Sequence, residues 1–99
     1  DEYFKDCWSI WTSDKEPELV ELIFSSRVKH RVQATRWHIS QHFIENSDGT
    51  LTWKANIATP KEMLPWIRGW GQDVEVIKPR WLRDHVAEEV IHMAKKYEK

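Results

Sequence analysis

The chain has 99 residues, 40% of them hydrophobic and 31% charged, which fits one domain with its own core and leaves little room for a second. Fifteen lysines and arginines against sixteen aspartates and glutamates give a formal charge of -1, so no global basic field steers the chain onto nucleic acid. The single cysteine, Cys7, rules out an internal disulfide framework and a four-cysteine zinc site, and suits a reducing cytoplasm.

Residues 1–17 read as an incoming segment. They carry Tyr3, Phe4, Trp8 and Trp11 and close on the polar run from Thr12 to Pro17, which has the composition of a connector. No basic-then-apolar leader opens the chain, so secretion is not expected, and a start at Asp1 in place of Met is expected of an excised piece. Leu19 to Phe24 is the longest nearly apolar run, with Glu21 inside it, and it is far too short to span a bilayer. Its Val20, Leu22 and Phe24 alternate onto one face, as in a half-buried strand.

Ser25-Ser26 is expected to cap a short helix with Val28 and Val32 on one side and Arg27, His30 and Arg31 on the other. From Trp37 to Ile44 strand-like alternation returns. Asp48-Gly49 supplies the turn chemistry of a tight hairpin, and Leu51, Trp53, Ala55 and Ile57 then alternate inward, so residues 37–58 are predicted to form a hairpin. Thr59-Pro60-Lys61-Glu62 has the composition of a capping box with Pro at the first helical position. Met63, Trp66, Ile67 and Trp70 follow as an apolar stripe that Gly71 can end, with Pro65 as a local cost. Val74 to Ile77 is a short strand. Pro79 starts a last helix whose Leu82, Val86, Val90, Met93 and Tyr97 are spaced for packing. The order β-α-β-β-α-β plus a terminal helix predicts an α+β fold of the split-βαβ, ferredoxin-like kind, an antiparallel four-stranded sheet with helices on one face.

Few residues suggest chemistry. Of the seven tryptophans, Trp53 and Trp66 lie on apolar faces, and Trp8 and Trp11 are placed to cover an edge of the core. Trp37, Trp70 and Trp81 fall near element ends, where they are expected to face a ligand. His38 and His42 sit on a predicted strand, where four residues span roughly 13 Å, too far to share one ion. His85 and His92 lie two turns apart on a helix. Ser40 near His38 has no nucleophile elbow, and Gly49, Gly69 and Gly71 are accounted for by turns or helix ends, not by a phosphate loop. No metal, cofactor or enzymatic activity is expected.

One stretch is electrostatically distinct. Between Glu21 and Glu45 there is no acidic residue, while Arg27, Lys29, Arg31 and Arg36 supply positive charge beside His30, His38 and His42. A solvated charged face accounts for such a pattern; a local anion site for phosphate, nucleotide or nucleic-acid backbone is the sharper alternative. By alternation, the helix-free face of the sheet is expected to show Glu21, Ile23, His38, Ser40, His42, Lys54, Asn56, Glu75 and Ile77. It carries no stacking aromatics, and it suits a subunit or interdomain contact.

The runs Val20-Glu21-Leu22-Ile23-Phe24-Ser25, Arg36-Trp37-His38-Ile39-Ser40-Gln41, Asp48-Gly49, Trp66-Ile67-Arg68-Gly69-Trp70-Gly71, Val74-Glu75-Val76, Pro79 and Leu82-Arg83 occur in that order over nearly the whole chain. As a set they resemble the C-terminal extension (WCX) domain of WYL-domain bacterial transcriptional regulators. Tyr3-Phe4 and Ile10-Trp11 resemble the segment leaving the WYL domain. Ile39 stands where that family often has Pro, and Ser9 where Gly is common, while Pro65 interrupts a helix that is usually regular.

The resemblance implies a linker from a preceding WYL domain over residues 1–17 and a ferredoxin-like extension over 18–99. It implies a cytoplasmic, non-enzymatic regulatory module whose partners are its own WYL and winged helix-turn-helix domains, a second copy in a homodimer, and a nucleotide or nucleic-acid effector. The DNA-reading helix and the WYL motif would lie outside this chain. On that reading the effector contacts are Arg27, Lys29, Arg31 and Arg36, with His38 and Gln41 as polar readers, although Gln41 can instead turn inward with Ile39 and Phe43. The alternative is a purely structural dimerisation or docking domain with no ligand of its own.

Overall fold

A computed structural model describes residues 16–98. Four strands form one sheet: β1 (Glu18–Phe24), β2 (His42–Glu45), β3 (Leu51–Ile57) and β4 (Val74–Lys78). Their spatial order is β2-β3-β1-β4 and every neighbouring pair is antiparallel. β1 and β3 pair along their full lengths, from Glu18 opposite Ile57 to Phe24 opposite Leu51. The β1–β4 ladder shifts register between Glu21 and Leu22.

Both central strands alternate as their sequences require. Val20, Leu22 and Phe24 of β1 and Leu51, Trp53, Ala55 and Ile57 of β3 are buried on one face. On that face lie α1 (Lys29–Gln33), α2 (Leu64–Trp70) and the first half of α3 (Arg80–Lys96). They contribute Val32, Leu64, Ile67 and Leu82 to the same core cluster, together with Val28, Met63 and Val76. The β2–β3 turn is built by Gly49 at φ 92°, where Asp48 accepts from both the backbone N–H and the hydroxyl of Thr50.

Four features depart from the sequence expectations. The first helix opens as a 3-10 turn at Ser26–Val28, and Ser25 provides no side-chain cap, because its hydroxyl is engaged by the Asp73 carboxylate while its backbone N–H donates to the Asp73 carbonyl at 2.9 Å. Thr59 likewise makes no cap; residues Pro60–Met63 form a 3-10 turn ahead of α2, which places Pro65 in the first helical turn, where its missing N–H costs nothing.

The hairpin is shorter than predicted, since β2 begins only at His42, opposite Lys54. At the next paired position the Ser40 hydroxyl accepts from the Asn56 N–H at 2.9 Å, so a side chain ends the ladder that backbone would otherwise extend. Finally, the apolar spacing of α3 is only half used. Leu82 is buried and Val86 packs on the core, but Val90, Met93 and Tyr97 are 54%, 57% and 80% exposed, so only the first half of the helix meets the core.

Ionic ties fix the helices to one another and to the sheet. Arg68 of α2 forms a two-pronged bridge to Glu89 of α3, at 3.0 and 2.6 Å. Arg83 reaches back from α3 to the carbonyl of Val76 at 2.8 Å and to Glu75 at 2.9 Å. The predicted incoming segment before Glu16 lies outside the described residues, Trp8 and Trp11 with it. Among the described residues no helix is long and apolar enough to cross a membrane.

Candidate functional site

The basic stretch does not stay basic in space. Arg27, at the start of the first helix, donates through two nitrogens to the carboxylate of Asp73, at 2.7 and 3.1 Å. The hydrogen bonds from Arg27 hold Asp73 below the usual carboxylate range, and the same pair raises the guanidinium of Arg27. Lys29 lies 3.4 Å from Glu45, whose carboxylate also accepts from Gln33 at 3.2 Å. The Gln33 bond first and Lys29 second keep Glu45 below its ordinary value. Two acids remote in sequence thus neutralise two of the four cations.

Arg31 and Arg36 remain. Both are exposed, and neither forms an ion pair among the described residues. The guanidinium of Arg31 sits over the ring of Trp70, 5.5 Å from its centroid, a cation–π placement.

The two polar residues expected beside them face inward. His38 is only 3% exposed, and its Nδ1 accepts from the Ser40 N–H at 3.1 Å and lies 2.8 Å from the Ser40 hydroxyl. It therefore occupies a loop, not the helix-free face of the sheet. Ser40 is held in the same loop, against the β3 edge. Gln41 takes the inward alternative. Its Oε1 accepts from the Trp37 backbone N–H at 2.9 Å and from the Trp53 indole at 3.1 Å, while its amide donates to the Thr35 carbonyl at 3.3 Å. It pins the loop before β2 to the core.

That loop brings Trp37 against α2. Trp37, Trp66 and Trp70 contact one another with ring centroids 5.1 to 6.3 Å apart, and Trp66 and Trp70 pack edge-on against Phe24 beneath. Trp53, also against Trp66, is fully buried. The three upper indoles are only half-buried. Together with Arg31, Pro65 and Gly69 they line an open depression of about 380 Å³. Trp37 holds its place by donating its indole N–H to the Val32 carbonyl at 2.9 Å. Gly69 leaves the floor low: a Cβ built there meets nothing within 4 Å.

Sequence reasoning placed Trp66 in the core and read Gly69 as a helix end, so it missed both as part of this surface. The signal available was that Pro65 and Gly69 stand four apart, on one face of a helix. Trp81 is 43% exposed at a separate place, where its indole donates to Glu18 at 3.0 Å. Among the described residues no three of His, Cys, Asp and Glu gather at a common point.

A sheet of antiparallel strands with helices packed on one face, and an indole-and-arginine depression on the helical side, defines a small α+β module. The chain belongs to the WCX domain family, whose model matches residues 16–94. No curated protein matches it.

Proposed function

We propose that this chain is the regulatory C-terminal module of a WYL-type helix-turn-helix transcriptional regulator, and that its own contribution is to bind an anionic effector, a nucleotide or nucleic acid, and pass that state to promoter-binding domains elsewhere in the protein. Membership of the WCX family supports the context. The order β-α-β-β-α-β with sheet order β2-β3-β1-β4 supports a ferredoxin-like assignment, because β1 and β2 run the same way with β3 between them. The module is non-enzymatic on this reading, needs no cofactor, and works in the cytoplasm as one part of a homodimer.

The observation that carries the effector assignment is Arg31, an exposed guanidinium with no acid paired to it among the described residues, held at the rim of the tryptophan depression. Of the cations in the basic stretch, Arg31 and Arg36 are the ones open to an incoming anion. The test is fluorescence anisotropy of a labelled single-stranded oligonucleotide titrated with the chain at low and at moderate salt. Affinity that falls with salt, and is lost in Arg31→Glu at unchanged melting temperature, is the expected result. Flat anisotropy at both salts moves the effector site to the WYL domain.

A second reading, docking without a ligand, has its own observation in the apolar overhang of Val90, Met93 and Tyr97. Sedimentation equilibrium decides it for self-association: a mass that rises with concentration in the parent, and not in Met93→Glu, favours the docking role.

A further inference from the structure

The tryptophan depression has a shape that a simple phosphate site does not need. An isolated phosphate is recognised by cations and N–H donors, whereas this surface is lined by one arginine and by three indoles inclined at 51°, 87° and 88° to one another, with a proline and a glycine beside them. Gly69 sits inside α2, where glycine costs up to about 1 kcal/mol relative to alanine. Its φ is not in the left-handed region and no neighbour within 4 Å excludes a Cβ, so nothing within the described chain requires glycine at that place. What the missing side chain leaves is access for a flat group to the indoles.

We propose that the depression is a nucleotide site in which a base inserts over Gly69 among the mutually inclined indoles of Trp37, Trp66 and Trp70, packing its face on one of them, while the attached phosphate lies against Arg31. This rests on the effector reading above and names its ligand class and geometry. Charge and shape agree on one occupant. Bases offer a π-face to indole without regard to sequence, and the phosphate reaches the exposed guanidinium at the rim. The stacking surface lies on the helical side of the sheet, so the polar helix-free face takes no part.

The experiment compares three forms of the full 99-residue chain, the parent, Gly69→Leu and Arg31→Gln, against a short labelled single-stranded oligonucleotide, its duplex, and unlabelled adenosine monophosphate or tripolyphosphate as competitors. Gly69→Leu fills the floor without displacing protein atoms near its Cβ, and a melting temperature at or above the parent's shows that it folds. It is expected to weaken single-strand binding about 5- to 100-fold, the range for losing a stacked base, with its salt dependence unchanged. Arg31→Gln is expected to lower the salt slope by about 0.7, the value for one phosphate contact on a single strand.

The duplex, whose bases are already stacked, binds more weakly than the single strand. Displacement by adenosine monophosphate marks a free nucleotide as sufficient, and displacement only by oligonucleotide marks a strand as the source; either supports the site. Gly69→Leu binding as the parent does, or duplex and tripolyphosphate performing as well as single strand, overturns the stacking site while leaving the anion reading intact. Failure of the parent to bind any of these probes overturns both.

Discussion

Arg27 and Asp73, 46 residues apart, hold each other through two hydrogen bonds of 2.7 and 3.1 Å, and the tie closes the start of the first helix onto the turn that leads into β4. The backbone repeats the link, since the Ser25 N–H donates to the Asp73 carbonyl at 2.9 Å. Arg27 therefore serves the fold first. Its neutral replacement, Arg27→Gln, is expected to lower the melting temperature slightly and to weaken anion binding less than Arg31→Gln does, measured by paired thermal melts and anisotropy titrations.

The same tie adds to the acid sensitivity of the fold. Asp73, Glu45 and Glu89 all titrate below the ordinary carboxylate range in the folded chain, held there chiefly by hydrogen bonds from Arg27, Gln33 and Arg68 respectively. A carboxyl whose folded pKa is depressed contributes stability that is fully present above its unfolded pKa and is lost as pH falls through the folded one. The melting temperature should then stay level from neutral pH to about pH 5 and decline at more acidic values, with Asp73→Asn starting lower and declining less steeply. Equal acid slopes in parent and variant would remove Asp73 from that account.

Gln41 ties Thr35, Trp37 and Trp53 together with one amide. Gln41→Leu has nearly the volume but cannot accept from the Trp37 N–H or the Trp53 indole, and it is expected to cost about 1–3 kcal/mol in chemical denaturation. The loop that seats Trp37 should loosen with it, so single-strand binding falls as well. A variant as stable as the parent would contradict the role assigned to the amide.

Along α3 the cost of substitution should change abruptly. Leu82→Ala opens a cavity in the core and is expected to cost about 2–5 kcal/mol. Val90→Ala, two turns further on at an exposed site, should fall within about 0.5 kcal/mol of the parent in dilute solution. A large loss at Val90 in dilute solution would mean that the overhang is already covered.

Gly69→Ala is expected to raise stability by up to about 1 kcal/mol, since alanine is the better helix former and its methyl meets open space. Thermal and denaturant melts measure it directly. A destabilised alanine variant would indicate that Gly69 is needed for packing, not for access.

The sequence by itself determined the two central strands, β1 and β3, and their faces. Alternation in Val20-Leu22-Phe24 and Leu51-Trp53-Ala55-Ile57 follows from the two-residue period of a strand, and Asp48-Gly49 fixes the turn, so these were legible from local pattern alone. The family resemblance was likewise carried by short ordered runs, and the match over residues 16–94 bears it out. Local pattern could not say where β2 begins, because a serine hydroxyl in place of backbone ends its ladder at Asn56. Nor could the spacing in α3 show that only its first half, with Leu82 and Val86, meets the core.

Only the tertiary structure decided which cations are open. A run without acids between Glu21 and Glu45 looks uniformly basic along the chain, yet Coulomb energy depends on distance in space. Folding brings Asp73 to Arg27 and Glu45 to Lys29, and leaves Arg31 on a tryptophan. The depression itself comes from three segments, Arg31, Trp37 and the helix from Pro65 to Trp70, that meet because Phe24 and Trp53 support them from below. No window of sequence contains that surface, since long-range packing assembles it.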